Sequence, residues 1–163
     1  MDFRNSKYVF YIIFGNKKVI EPLIIKYRIS SDRFKIIHTE NFIEDTDTAL
    51  GAAKKGKDTS LWLAIESLKH GEADAIVSAG NTGALFLISK LNLKMIENID
   101  KPALSALWPS KKGMNVVLDL GANIECSSKN LFDFSVMGAS LFTSLYPNIR
   151  PNVGSVSYTH LTL

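Results

Sequence analysis

Apolar and polar positions along this chain fall into two kinds of block, short unbroken apolar runs and longer stretches with helical spacing. Tyr8 to Phe14 (YVFYIIF) is β-branched and aromatic throughout and closes at Gly15-Asn16, which predicts a buried strand ended by a turn. Lys17 to Tyr27 places Val19, Leu23 and Ile24 near helical spacing, with Pro22 expected in the first turn. FKIIH, Phe34 to His38, reads as a second short strand. The stretch NFIEDTDTALGAAKKGKDTS reads as a loop, a short helix from about Thr46 and a basic connection. Asp58, Thr59 and Ser60 then offer an N-cap for a helix with Leu61, Ala64, Ile65 and Leu68 on one face, stopping near Gly71.

Glu72 to Ser78 (EADAIVS) predicts another strand, and Asn81 to about Lys94 a helix whose buried stripe is Leu85, Ile88 and Leu91. Pro102 to Trp108 and Met114 to Leu120 are apolar runs separated by SKKG, a hairpin-like connection. Leu131 to about Leu145 predicts a further helix, and VGSVS from Val153 the opening of a strand. Strands that are apolar on both faces and alternate with helices predict an α/β three-layer sandwich around a mostly parallel sheet. With no repeat and no low-complexity linker, one domain is expected.

Charge and cysteine content narrow the partners. A net charge of +3 is too small to argue for nucleic acid, and no basic-aromatic interleaving appears; it suits an acidic protein or an anionic small substrate. The lone Cys126 excludes an intrachain disulfide and any cysteine metal cluster, as expected of a cytoplasmic protein. YVFYIIF behind a weakly basic start invites comparison with a signal peptide, but Asp2 lies in the would-be basic region and no small-x-small cleavage site follows. No apolar run approaches a membrane span.

Two predicted strand ends carry polar equipment. In open parallel sheets ligands bind beyond the carboxyl ends of strands. The first such end is AIVS-AGNTG: Gly80 and Gly83 let a ligand approach the backbone, while Asn81 or Thr82 caps a helix whose first amides are free for an anion. The second is VVLD-LGANIE, where Asp119 and Asn123 flank Gly121, and a carboxylate there requires donors from elsewhere in the fold. The plainer alternative is that β-to-α turns demand a glycine and a cap by geometry alone, and AGNTG is neither a Walker nor a dinucleotide pattern. Lys54, Lys55 and Lys57 read first as a solvated charge run. His38, His70 and His160 lack ligand spacing, Cys126 has no activating neighbour, and Trp62 and Trp108 are expected to pack.

HGEADAIVSAGNTGAL, IDKPALSALWP, VVLDLGANIECSSKNLFDFSVMGAS and PNVG, in this order from about Tyr8 to Gly154, resemble the bacterial phosphate acyltransferase family. The resemblance implies transfer of an acyl group from acyl carrier protein to inorganic phosphate, an early step of phospholipid synthesis. It also implies a fold related to isocitrate and isopropylmalate dehydrogenases and to phosphotransacetylases. Further implications are a homodimer, no metal or organic cofactor, and delivery of acyl phosphate to a membrane glycerol-3-phosphate acyltransferase. A cytoplasmic enzyme with peripheral membrane attachment in some members fits this pattern. On that basis Asn81, Thr82 and Asn123 are the expected catalytic residues, with Ser78, Gly80, Gly83, Asp119, Gly121 and Lys57 binding substrate. Asp119 is expected to orient donors rather than act as a base.

The chain departs from the family pattern in three places. The family's opening strand and D-A-M-G-G-D loop are not seen, so residues 1–154 are expected to be a partial domain. Residues 155–163 (SVSYTHLTL) resemble nothing in the family and are expected to be a non-native tail. KKGKDTS stands where relatives carry adjacent basic residues, which favours Lys57 over Lys55. The alternatives are an inactive remnant that binds acyl carrier protein, and a coenzyme A-dependent phosphotransacetylase.

Overall fold

Ten elements follow one another along the chain in a computed structural model that describes residues 9–155. They fall into two compact units that divide between Lys94 and Met95. The start of the Tyr8 run, His160 and nearly all of the expected 155–163 tail lie outside the described residues.

In the first unit, β1 (Tyr11–Gly15) and β2 (Phe34–His38) form a parallel pair with Tyr11 opposite Phe34 and Gly15 opposite His38. The crossover between them is α1 (Lys17–Lys26) followed by a single 3-10 turn at Ser31–Arg33, as a parallel connection requires. Asn16 caps α1 by accepting from the Lys18 N–H at 2.9 Å. Pro22 lies inside α1, one turn deeper than its residue type predicts, and removes one backbone donor from the helix interior. Of the expected stripe only Ile24 is buried; Val19 and Leu23 are exposed.

Three helices complete this unit: α2 (Ala49–Lys54), α3 (Ser60–Lys69) and α4 (Thr82–Asn92). Ala52, Trp62, Ile65, Ala84 and Ile88 form their shared core, with Ile43, Ile76, Leu85 and Leu93 packed around it. The buried line of α4 therefore runs through Ala84 and Ile88, while Leu91 is 61% exposed. The small Ala84 and Ala52 let α2 and α4 approach closely.

Glu72 to Ser78 is not a strand. It runs without ladder partners; Ile76 touches the core while Val77 is fully exposed. β-propensity alone does not make a strand where no neighbouring edge supplies hydrogen bonds.

In the second unit, β3 (Ala106–Ser110) and β4 (Gly113–Val117) form the expected hairpin, antiparallel, closed at Ser110 and Gly113. Trp108, expected to pack, is 58% exposed on β3. The long helix α5 (Ser128–Leu145) packs on β4, and Ser127 with Asn130 forms a full capping box at its start. A Cβ at Gly138 would come within 3.2 Å of Leu118 Cδ1, so glycine there permits the close approach of helix and strand. Between β4, α5 and residues 149–155 runs an apolar cleft of about 950 Å³. The chain is thus α/β, but its described residues form one parallel pair and one antiparallel pair in place of a continuous, mostly parallel sheet.

Candidate functional site

The residues of AGNTG lead into α4. Asn81 is the N-cap, with Oδ1 accepting the Ala84 N–H at 2.9 Å. Its Nδ2 donates toward three backbone carbonyls of one loop: Asp47 at 2.8 Å, Asp45 at 3.2 Å and Glu44 at 3.3 Å. The side chain of Asn81 is therefore committed on both sides. The N–H groups of Thr82 and Gly83 have no protein partner among the described residues, and both residues are exposed. Ser78 Oγ accepts from the Gly80 N–H at 3.3 Å, and Ser78 and Gly80 are exposed beside the helix start.

The glycines of this turn have no structural necessity. Neither Gly80 nor Gly83 lies in the left-handed region. An added Cβ would sit 3.6 Å from Ser78 Oγ at Gly80, and 3.5 Å from Ala49 Cβ and Asn81 Oδ1 at Gly83, all ordinary contacts. Among the described residues, backbone geometry and packing would thus accept alanine at both.

The loop that Asn81 grips brings two further side chains to the site. The Asp47 carboxylate accepts the Glu44 N–H at 2.8 Å and pairs with Lys55 Nζ at 2.6 Å. The Lys55 ammonium and the Glu44 amide hold the Asp47 carboxyl below its ordinary range, and Asp47 in turn raises the Lys55 ammonium. Lys57, preferred from the sequence, is exposed and makes no hydrogen bond or ion pair among the described residues. The link from Asn81 to the Asp47–Lys55 pair was not legible in the sequence, because the Asp47 carbonyl that Asn81 holds lies 34 positions upstream of it.

The DLGAN residues belong to the second unit. Asp119 Oδ1 accepts the Leu104 N–H at 2.8 Å, and Oδ2 accepts the Asn123 N–H at 2.7 Å and Asn123 Nδ2 at 3.0 Å. Asn123 Nδ2 also donates to the Pro102 carbonyl at 2.8 Å. Burial alone would raise the Asp119 carboxyl, but the amides of Leu104, Asn123 and Ala122 and the Asn123 side chain together hold it below its usual value. Asp119 thus has the donors its position demands and orients Asn123. Gly121, at φ +84°, is a glycine for backbone reasons, unlike Gly80 and Gly83.

Among the described residues no group of His, Cys, Asp or Glu has the arrangement to hold a metal ion, and no helix is long and apolar enough to cross a membrane. The fold and the open start of α4 define an α/β protein presenting the backbone geometry on which anions such as phosphate bind. The family model described as fatty acid synthesis protein matches residues 3–158, and the chain belongs to that family.

Curated relatives agree. The chain is 62% identical over 146 residues to a protein of Pelagibacter ubique named phosphate acyltransferase, covering 90% of this chain and 43% of that one. Proteins of the same name from Maricaulis maris and Azorhizobium caulinodans are 39% and 38% identical, over 88% of this chain and 41% of each. The chain thus spans about two fifths of the length of these relatives.

Proposed function

We propose that the protein to which this chain corresponds transfers the acyl group of an acyl carrier protein thioester to inorganic phosphate, with the start of α4 receiving the phosphate or the thioester oxygen. The relatives' common name supports the reaction class. The observation that carries the site is the pair of unpartnered amides at Thr82 and Gly83 beside glycines that neither strain nor packing requires.

Phosphate is itself the nucleophile in such a transfer. Its oxygen attacks the thioester carbonyl, the tetrahedral intermediate collapses, the C–S bond breaks, and the carrier leaves as its thiol after taking up a proton. The protein's task is to hold an anion against a carbonyl and to stabilise the oxyanion, work suited to backbone amides at a helix N-terminus. Ser78, Gly80, Thr82 and Gly83 form this cradle, with the exposed Lys57 as a further substrate-binding residue. In the second unit Asp119 orients Asn123, and Gly121 permits their turn. The complete family member is expected to be a cytoplasmic homodimer without metal or organic cofactor. Its fold would be the three-layer sandwich of the isocitrate and isopropylmalate dehydrogenases, and its product would pass to a membrane glycerol-3-phosphate acyltransferase.

The test incubates the protein with acyl carrier protein thioester and inorganic phosphate, and traps acyl phosphate with hydroxylamine. Carrier release that depends on phosphate and yields hydroxamate is the expected result. Release from acyl-coenzyme A but not from the carrier thioester would replace the substrate, and no phosphate-dependent release from either would refute the reaction.

A further inference from the structure

An N-cap does not need to be asparagine. Serine, threonine and aspartate accept the same helix N–H about as well. What asparagine adds is an amide donor, and at position 81 both its hydrogens are directed at the carbonyls of Glu44, Asp45 and Asp47. With Oδ1 held by Ala84, nothing on this side chain remains to bind an oxyanion.

The gripped loop is ordered in its own right. Asp47 N–H donates to the Glu44 carbonyl at 3.1 Å and Glu44 N–H to the Asp47 carboxylate at 2.8 Å, while that carboxylate also holds Lys55. Directly after it Thr48 caps α2 by accepting the Gly51 N–H at 3.1 Å, and a Cβ added at Gly83 in the first turn of α4 would lie 3.5 Å from Ala49 Cβ. One asparagine amide therefore joins the start of α4, the start of α2 and the Asp47–Lys55 pair.

We propose that Asn81 is a positioning residue and not a ligand: its amide clamps the Glu44–Asp47 loop against the start of α4, and through Asp47 that loop holds Lys55 as the cation of the anion site. This rests on the reading that the start of α4 receives an anion. A lysine paired with Asp47 keeps its place while the site is empty, and an arriving phosphate competes with the carboxylate for the same ammonium.

The test uses Asn81→Ser and Asn81→Asp, which keep an N-cap acceptor and remove the amide. Two measurements are made: hydrogen exchange at the Glu44 and Asp47 amides, and the rate at which an amine-acylating reagent labels Lys55 relative to Lys57. Both variants are expected to speed loop exchange about fivefold and to bring Lys55 labelling up toward that of Lys57. Inorganic phosphate is expected to slow Lys55 labelling in the parent and to lose that effect in Asn81→Ser. Unchanged loop exchange and Lys55 labelling in both variants would overturn the clamp. Faster exchange spread equally through α4 would reduce Asn81 to a helix cap and overturn it too. Phosphate without effect on Lys55 in the parent would overturn the role of Lys55 as the anion's cation, whatever the loop does. Failure of the carrier-release assay alone would bear on the reaction, not on the clamp.

Discussion

Gly83→Ala separates a glycine kept for the fold from one kept for a ligand. Gly83 is the second residue of α4, and its backbone lies outside the left-handed region. The new Cβ would meet Ala49 Cβ and Asn81 Oδ1 at 3.5 Å, so no neighbour has to move. Alanine in a helix is favoured over glycine by up to about 1 kcal/mol, which raises the melting temperature of a chain this size by about 2–4 °C. An anion oxygen on the Gly83 N–H must come within about 2.9 Å of the nitrogen, over ground the methyl group crowds. The expectation is a melting temperature unchanged or higher together with phosphate binding weakened about tenfold, or about 1.4 kcal/mol. Circular dichroism melts and a phosphorus NMR titration with inorganic phosphate measure the two on one sample. Unaltered phosphate affinity would refute the ligand argument, and a clear loss of stability would show that the backbone needs glycine after all. A parent chain that binds no phosphate would refute it at the first step.

Other predictions concern the second unit. Gly121→Ala, at φ +84°, is expected to cost about 1–2 kcal/mol in a denaturant titration, the opposite sign to Gly83→Ala. Asp119→Asn places an amide against two donors from Asn123 and should cost about 1.5–3 kcal/mol by the same method. Because the Asp119 carboxyl is held below 3.8 in the folded chain, its contribution is full above that pH and is lost as pH falls through the lower folded value. Acid unfolding below pH 4 should therefore be less steep in Asp119→Asn than in the parent. Lys129→Met removes the ammonium that bridges Asp100 and the buried Asp133, each at 2.9 Å, and leaves Asp133 without its cation. A lower melting temperature is expected, and an unchanged one would show that the bridge contributes nothing.

What the sequence determined by itself was local. Asn16, Asn81 and Ser127 each accept a hydrogen bond from an amide two or three residues ahead, so these helix starts rest on neighbouring residues, although α5 begins three residues before the expected Leu131 and Thr59 starts α3 without a side-chain cap bond. FKIIH and the hairpin around SKKG are likewise set by short runs and turn chemistry, and the donors Asp119 required were anticipated from its position. Family membership was also legible, because it rests on the order of motifs and not on their contacts.

Tertiary structure decided everything that needed a distant partner. EADAIVS has strand composition but no edge to pair with, and α4 buries Ala84 in place of Leu91 because α2 approaches on that side. Asp47 pairs with Lys55 and not with Lys57, and the amide of Asn81 went to a loop some 34 residues upstream. The same separation divides the glycines: a positive φ explains Gly121, whereas at Gly80 and Gly83 neither the backbone nor the described neighbours require glycine. Periodicity records what a residue is and who stands beside it in the chain. Which side chains are left with an unused donor is settled by the contacts that folding makes.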